Sequence, residues 1–421
     1  MHCNRSPRSL LATQPLAVDI YISPITGGDV NHPADSSAAP PGGTGVGRYS
    51  PRFVLAAILI AIAAAGAMML FLELQSLGEA LLWPDSLPVP IFPLILATAG
   101  GLLVGVCLHV FGDHVLLLQQ SLIEFQRTGR FEPRHLPAGL LTIYLSLIFG
   151  ASLGPEVAAI DMGGSMGTLA GDRLRSRVRT LSSAGIAGAL VGFAIYLQIT
   201  RTAGGALYPL PPPGELLPLY LLYAAILGLA GAAAGVLFIG AFRLFYRLMT
   251  PIAGRHLIRG VAGGVGLGIA GTVFPLVLFS GLNEFRTVLE TGATAGATVL
   301  LLLVAVKIFA STWCMATIFK GGPIFPLIFA GGTLGLAVSL LVPAIPPAVA
   351  VPAVMAGMIV CVLKMPAAVI PIVALVFLQW EILIIVAIAT VAGYYATRKI
   401  AMFPHEGNGG GGVTDPTQAA D

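Results

Sequence analysis

The sequence predicts an all-α polytopic membrane protein, built in two halves from broken, tilted and re-entrant helices. Three observations carry this. Charged residues make up 10% of 421 positions and mean hydropathy is +0.90, whereas soluble domains are about a quarter charged. Apolar runs long enough to cross a bilayer alternate with loops, and arginine gathers in only some of those loops. One unusual element also occurs twice: GPEVAAIDMGGSMG from Gly154 to Gly167 and GPIFPLIFAGGTLG from Gly322 to Gly335.

Taken in order, residues 1–50 are rich in Pro, Gly, Ser and Asp and read as a disordered tail, with no apolar core of signal-peptide type. A first span runs from about Phe53 to Leu72 and a second from Ile91 to about Phe111, leading into Arg127, Arg130, Arg134 and His135. The positive-inside rule puts this basic loop in the cytoplasm, together with Arg52. Leu136 to Gly171 ends in a second basic cluster, so the chain enters the membrane and returns, turning near Gly150 to Pro155. Leu181 to Thr200 then crosses outward to the Pro-rich loop Tyr208 to Glu215, and Leu217 to about Phe242 returns to Arg243, Arg247, Arg255 and Arg259. Val261 to Ser280 crosses outward again. From Thr294 to Ala396 the chain is almost continuously apolar, with breaks expected at Lys320 to Pro323, Pro343 to Pro347, Lys364 to Pro366 and Pro371. The organisation read from this is a tail (1–50), a first transmembrane half (51–255), a second half (256–402) and a disordered tail (403–421). Both termini fall on the cytoplasmic side of a plasma-membrane protein.

Several function classes drop out early. A formal net charge of +3 offers no nucleic-acid surface, and the four cysteines, Cys3, Cys107, Cys314 and Cys361, have no paired spacing. No cofactor or metal is expected. His109, Asp113 and His114 offer the alternative of a metal-dependent intramembrane enzyme, but the paired helical His of H-E-x-x-H is missing and Gly112 interrupts the helix. The chain is expected not to be an enzyme.

The repeated element has a physical meaning. Gly-Pro ends the preceding structure and can seat proline in the first turn of a new helix, where its missing N–H has no partner to lose. A helix start inside an apolar stretch leaves N–H groups that lipid cannot satisfy, and it carries roughly +0.5 elementary charge. An anion suits such an end, and matching breaks in two halves point to a transport site near the midplane. With 52 glycines in the chain, chance recurrence is the competing reading.

With these residues in hand, the chain resembles the CLC family of chloride channels and chloride/proton antiporters, as a divergent bacterial-type member, from about Phe53 to Lys399. The family's G-[KR]-E-G-P motif corresponds to Ala151-Ser152-Leu153-Gly154-Pro155, and its G-x-F-x-P to Gly322-Pro323-Ile324-Phe325-Pro326. Its late R-A-P-L motif resembles Lys364-Met365-Pro366-Ala367. The resemblance implies two inverted halves, a homodimer in the bilayer, and one pathway per subunit for chloride or a similar anion. That pathway would be lined by helix N-termini at Ser152, Leu153, Gly154, Pro155, Glu156 and at Gly322, Pro323, Ile324, Phe325, Pro326.

The departures bear on mechanism. The family's gating glutamate corresponds to Leu153, which cannot take up a proton, so passive and uncoupled transport is expected. Glu156, in the first turn of the same helix, offers the alternative: a displaced gate for exchange of chloride or fluoride against protons. Its bland role is to favour the helix N-terminus. Asp161 follows on another part of that helix. The family's inner serine motif falls in register on Gly112-Asp113-His114-Val115-Leu116, and Asp113 is a poor anion ligand by repulsion. Gln198 stands nearest to the antiporters' internal carboxylate and does not titrate. The family's late tyrosine has no counterpart, and no regulatory CBS pair is expected after Lys399.

Overall fold

The structure is a computed structural model that describes residues 50–84, 89–175, 177–200, 206–212 and 217–402. The tails read at 1–50 (Ser50 apart) and 403–421 lie outside the described residues, as do Cys3 and residues 213–215 of the Pro-rich loop. Fourteen α-helices follow in order: α1 (Pro51–Leu82), α2 (Phe92–Phe111), α3 (Leu118–Thr128), α4 (Leu136–Ile148), α5 (Glu156–Arg173), α6 (Val178–Thr200) and α7 (Pro218–Met249). Then come α8 (His256–Val273), α9 (Glu284–Ala295), α10 (Ala297–Ala316), α11 (Ile324–Leu341), α12 (Pro347–Leu363), α13 (Pro366–Phe377) and α14 (Leu383–Thr397).

Eight of the described helices are long and apolar enough to span a bilayer. On α1, Leu55, Ile58, Leu59 and Ile62 are all more than half exposed. An apolar face of that extent belongs in lipid. The expected break from α4 to α5 is present at 149–155, and α4, at 13 residues, spans only ~20 Å, short of the ~30 Å bilayer core. The breaks at 320–323, 343–347 and 364–366 likewise lie at helix ends. Pro371, read as a break, instead sits inside α13. Proline there forgoes only the bond to the carbonyl of residue 367, in the first turn, and the helix continues on its other bonds. After the crossing from Val261, Glu284 to Ala295 forms α9.

The helices pack as two related sets. Contacts of α1 with α6, α2 with α4, α3 with α5, α4 with α5 and α5 with α6 recur as α7 with α12, α8 with α10, α9 with α11, α10 with α11 and α11 with α12. Among the described residues, α13 and α14 have no counterpart after α6; α14 lies against α7 and α12.

This packing explains the repeated Gly-Gly register. A Cβ on Gly163 or Gly167 would strike the backbone of α6, and one on Gly331 or Gly335 the backbone of α12. Gly164 and Gly332 each make room for an aromatic ring, Phe131 and Phe285 respectively. Small residues let these helices cross at backbone contact, the usual solution where lipid gives no hydrophobic drive to association. The innermost helix, α12, is buried on every side, as its all-round apolar sequence requires.

One buried cation braces the second half. Lys307 of α10 is fully buried and donates to the carbonyls of Val277 (3.1 Å), Leu278 (3.4 Å) and Phe279 (2.9 Å), with its ammonium 4.9 Å from the Phe329 ring centre. Phe279 is held in a left-handed conformation, φ 56°, and its N–H donates to the carbonyl of Gly150 at the α4–α5 break. Lys307→Met should leave these carbonyls without their shared donor and lower stability by about 3 kcal/mol, since each unsatisfied buried acceptor costs ~1–3 kcal/mol. Thermal unfolding in detergent measures it.

Candidate functional site

The two Gly-Pro elements meet. Gly154 N–H donates to Gly322 C=O at 2.8 Å and Gly322 N–H to Gly154 C=O at 2.7 Å, an antiparallel bridge joining the starts of α5 and α11. Pro155 and Pro323 stand one position earlier than expected, at the caps, with φ −81° and −89°. These angles lie near proline's fixed φ, and the absent N–H removes a donor that nothing there would accept. In α11, Pro326 removes another from the first turn.

One of the N–H groups that remain reaches a side chain of the other half. The Glu156 carboxylate, at the start of α5, accepts from Phe325 N–H in the first turn of α11 at 2.9 Å. A carboxylate from one half thus occupies the positive end of the helix in the other half. Glu156 is 2% exposed, and its second oxygen, Oε2, has no hydrogen-bond partner. Two glycines make the space. A Cβ on Gly154 or Gly322 would fall against the Glu156 carboxylate.

The other anion-path candidates take different places. Leu153 is fully buried, with its Cβ against Gly321. Ser152 is also buried, and its Oγ is 2.9 Å from Ser311 Oγ on α10. A narrow pocket is lined by Pro155 and Phe325 together with Phe193, Tyr196, Glu79 and Glu284. Phe325 contributes its N–H, and its ring meets Phe193 edge-on at 5.4 Å.

Asp113 has a partner that sequence register does not reveal. Its carboxylate faces Lys320, with Nζ 2.6 Å from Oδ1 and 2.9 Å from Oδ2, and the same ammonium donates to Val115 C=O at 3.1 Å. The main-chain N–H of Lys320 donates to Ser146 Oγ at 3.0 Å, at the end of α4. Lys320, read only as a break in the apolar run, is the residue missed. The metal reading is not supported by this geometry: Asp113 is turned to Lys320, His114 stacks on His135 at 3.7 Å, and no three such ligands cluster among the described residues.

Burial alone would raise the Asp113 carboxyl, but the Lys320 ammonium, with Arg259 and His256 beyond it, reverses this and holds it below the ordinary value. With the folded pKa lowered, the stabilisation is whole above the unfolded value near ~4 and is lost as pH falls through the folded value. The stability difference between wild type and Asp113→Asn should therefore stay level from about pH 7 to about pH 5 and vanish only below ~pH 4. Thermal unfolding across that range checks it.

Comparison with known proteins adds independent findings. A family model described as voltage gated chloride channel matches residues 191–398. The provisionally named ion-transport protein YfeO of Escherichia fergusonii is 28% identical over 370 residues, covering 75% of this chain and 88% of the relative. YfeO of Escherichia coli is 27% identical over 356 residues, covering 74% and 84%. Among solved structures, a slow cyanobacterial Cl⁻/H⁺ antiporter superposes with TM-score 0.68 at 19% identity, covering 83% of this chain and 95% of the other. A CLC-type fluoride/proton antiporter gives 0.68 at 17% identity, covering 85% and 99%.

Proposed function

This chain belongs to the CLC family of voltage-gated chloride channels and chloride/proton antiporters, a family of membrane anion transporters, and we propose that it exchanges chloride or a similar small anion for protons with Glu156 as the gate. The observation that carries this reading is the buried Glu156 carboxylate of α5 held by the Phe325 N–H at the start of α11, between Gly154 and Gly322. An ionised carboxylate and an anion compete for the same donors. Protonation removes the carboxylate's claim, so binding of the anion and binding of the proton become linked in both directions. Gly154 and Gly322 give the seat its room, while Pro155, Phe325 and the pocket beyond them form its approach.

The passive reading rests on Leu153 and is the second one. It is favoured by the burial of Leu153 at the position of the family's usual gate and by Gln198 where a titrating group would serve. Membership of the family supports a homodimer, and the arginine loops support cytoplasmic termini. On the same reading the two halves meet in the linker before α7, which packs as the counterpart of α1, rather than at residue 255.

Purified protein in chloride-loaded liposomes tests the choice when chloride efflux and external pH are recorded together. Proton movement in fixed ratio to chloride is expected. Chloride efflux with no proton movement would establish the passive reading.

A further inference from the structure

Among the described residues, the hydrogen-bond partners of the Lys307 ammonium are three main-chain carbonyls, those of Val277, Leu278 and Phe279, and the Phe329 ring closes its other side. These contacts lead to both sides of the Glu156 seat. On the first-half side, Phe279 N–H donates to Gly150 C=O at 3.0 Å, six residues before Glu156. Ser311, one turn beyond Lys307 on α10, meets Ser152 Oγ at 2.9 Å, two residues before Gly154. On the second-half side, Phe329 stands one turn beyond Phe325, whose N–H holds the Glu156 carboxylate. Phe279 also lines the pocket that Pro155 and Phe325 share. Lys307 thus stands between the α4–α5 break and α11, and none of its partners belongs to the seat itself.

Burying an ammonium is costly, and an apolar side chain of the same length would fill the space more cheaply. An apolar side chain, however, cannot hold three carbonyls on one point. The backbone shows what is being held. Gly150 and Phe279 both lie in the left-handed region, at φ 86° and 56°. Glycine adopts that conformation freely, whereas phenylalanine keeps it only where its neighbours fix it. Here the fixing contacts are Lys307 Nζ on Phe279 C=O at 2.9 Å, Phe279 N–H on Gly150, and the Trp83 ring at 5.1 Å. Trp83 in turn donates to the carbonyl of Ile148, the last residue of α4, at 2.9 Å. Backbone strain held from several sides gathers where exact geometry serves function.

We propose that Lys307 is a positioning residue for the anion seat: a cation tethered among the 277–279 carbonyls, it fixes the α4–α5 break at its spacing from the start of α11. This rests on the reading that Glu156 and the transported anion share that seat. The three carbonyls form a site for a primary alkylammonium group, filled by the chain's own lysine. Without the ammonium the Phe279 segment relaxes, Gly150 moves with it, and the two helix starts lose the spacing that an anion needs.

A loosened seat holds Glu156 and an anion equally badly, so the test reads the anion alone, by calorimetry of chloride binding in detergent with the full chain carrying Glu156→Ala. Adding Lys307→Ala should weaken chloride binding about tenfold, the effect of lost preorganisation. n-Propylammonium, supplied as its gluconate, replaces the missing side chain and should restore binding to within about twofold of the Glu156→Ala parent. Tetramethylammonium, which has no N–H to donate, should not restore it. Binding unchanged by Lys307→Ala, with only the unfolding temperature lowered, would show that the lysine merely braces the fold and would overturn the proposal. Weakened binding that n-propylammonium fails to restore would overturn it too. Where Lys307→Ala folds only with the amine present, protein purified in n-propylammonium carries the test. Binding should then fall as the amine is withdrawn, before the far-ultraviolet circular dichroism changes; binding lost only together with the fold would overturn the proposal. Glu156→Ala protein that binds no chloride would overturn the shared seat and this proposal with it, whereas tight binding there that Lys307→Ala leaves intact would overturn the positioning role alone.

Discussion

Glu156→Gln should separate proton movement from anion movement: chloride flux persists in liposomes while proton flux falls to background. The amide keeps the size of the side chain and can still accept from Phe325 N–H, but it cannot be protonated or carry charge. Glu156→Ala goes further and empties the seat. A net worth of about 2–3 kcal/mol for the carboxylate's charge-assisted hydrogen bonds means that it occupies the seat nearly all the time. Removing such a competitor should tighten apparent chloride affinity roughly 30- to 150-fold. Calorimetric titration of the two variants against wild type reads this directly. Unchanged affinity in Glu156→Ala would mean that the anion binds elsewhere and that Glu156 only caps α11.

A second large effect is expected at the glycines. In Gly322→Ala the new methyl group would lie against Glu156 Oε2, and in Gly154→Ala against both carboxylate oxygens. The clash is with the far end of a flexible side chain, so the fold survives by swinging the carboxylate out. The methyl group then stays in the seat. Each substitution should weaken chloride binding by about 3 kcal/mol, or more than 100-fold, the worth of several hydrogen bonds to an anion. Gly240→Ala in α7 provides the control, since nothing lies within 4 Å of the point where its methyl group would stand. It should leave binding unchanged and stability equal or slightly raised, because alanine is the better helix former.

Much of this fold is legible in the sequence because lipid allows few solutions. The α4–α5 break is readable from two basic flanks around a 36-residue apolar stretch, Leu136 to Gly171, and the Gly-Pro elements announce two helix starts. That these starts meet is not readable, since nothing in either segment encodes a hydrogen bond between Gly154 and Gly322. Glu156 stands out as a carboxylate in an apolar helix. What it bonds depends on α11, which lies far away in the chain. Leu153 draws attention through register, yet the register that matters is spatial, and a side chain three residues on reaches the seat instead.

Charges in the second half are harder to interpret. Lys307 sits inside an apolar run, where an ionisable residue signals function or a buried partner. Its partners are main-chain carbonyls, which sequence does not mark. Lys320 looks like punctuation before Gly-Pro. Its pairing with Asp113 joins a loop of the first half to the start of α11, and only the packing of the halves brings them together. Asp113 looks ill-suited to an anion path for the same reason: its neutralising partner is out of view.

The central claim is that the Glu156 carboxylate and the transported anion share one seat. Calorimetry of chloride binding in buffers of different ionisation enthalpy measures the protons taken up per anion bound. Where Glu156 is ionised in the empty protein, wild type should take up close to one proton per chloride, because the displaced carboxylate becomes protonated, and Glu156→Gln should take up none. Proton uptake of the same size in both proteins, or none in either, would contradict the shared seat.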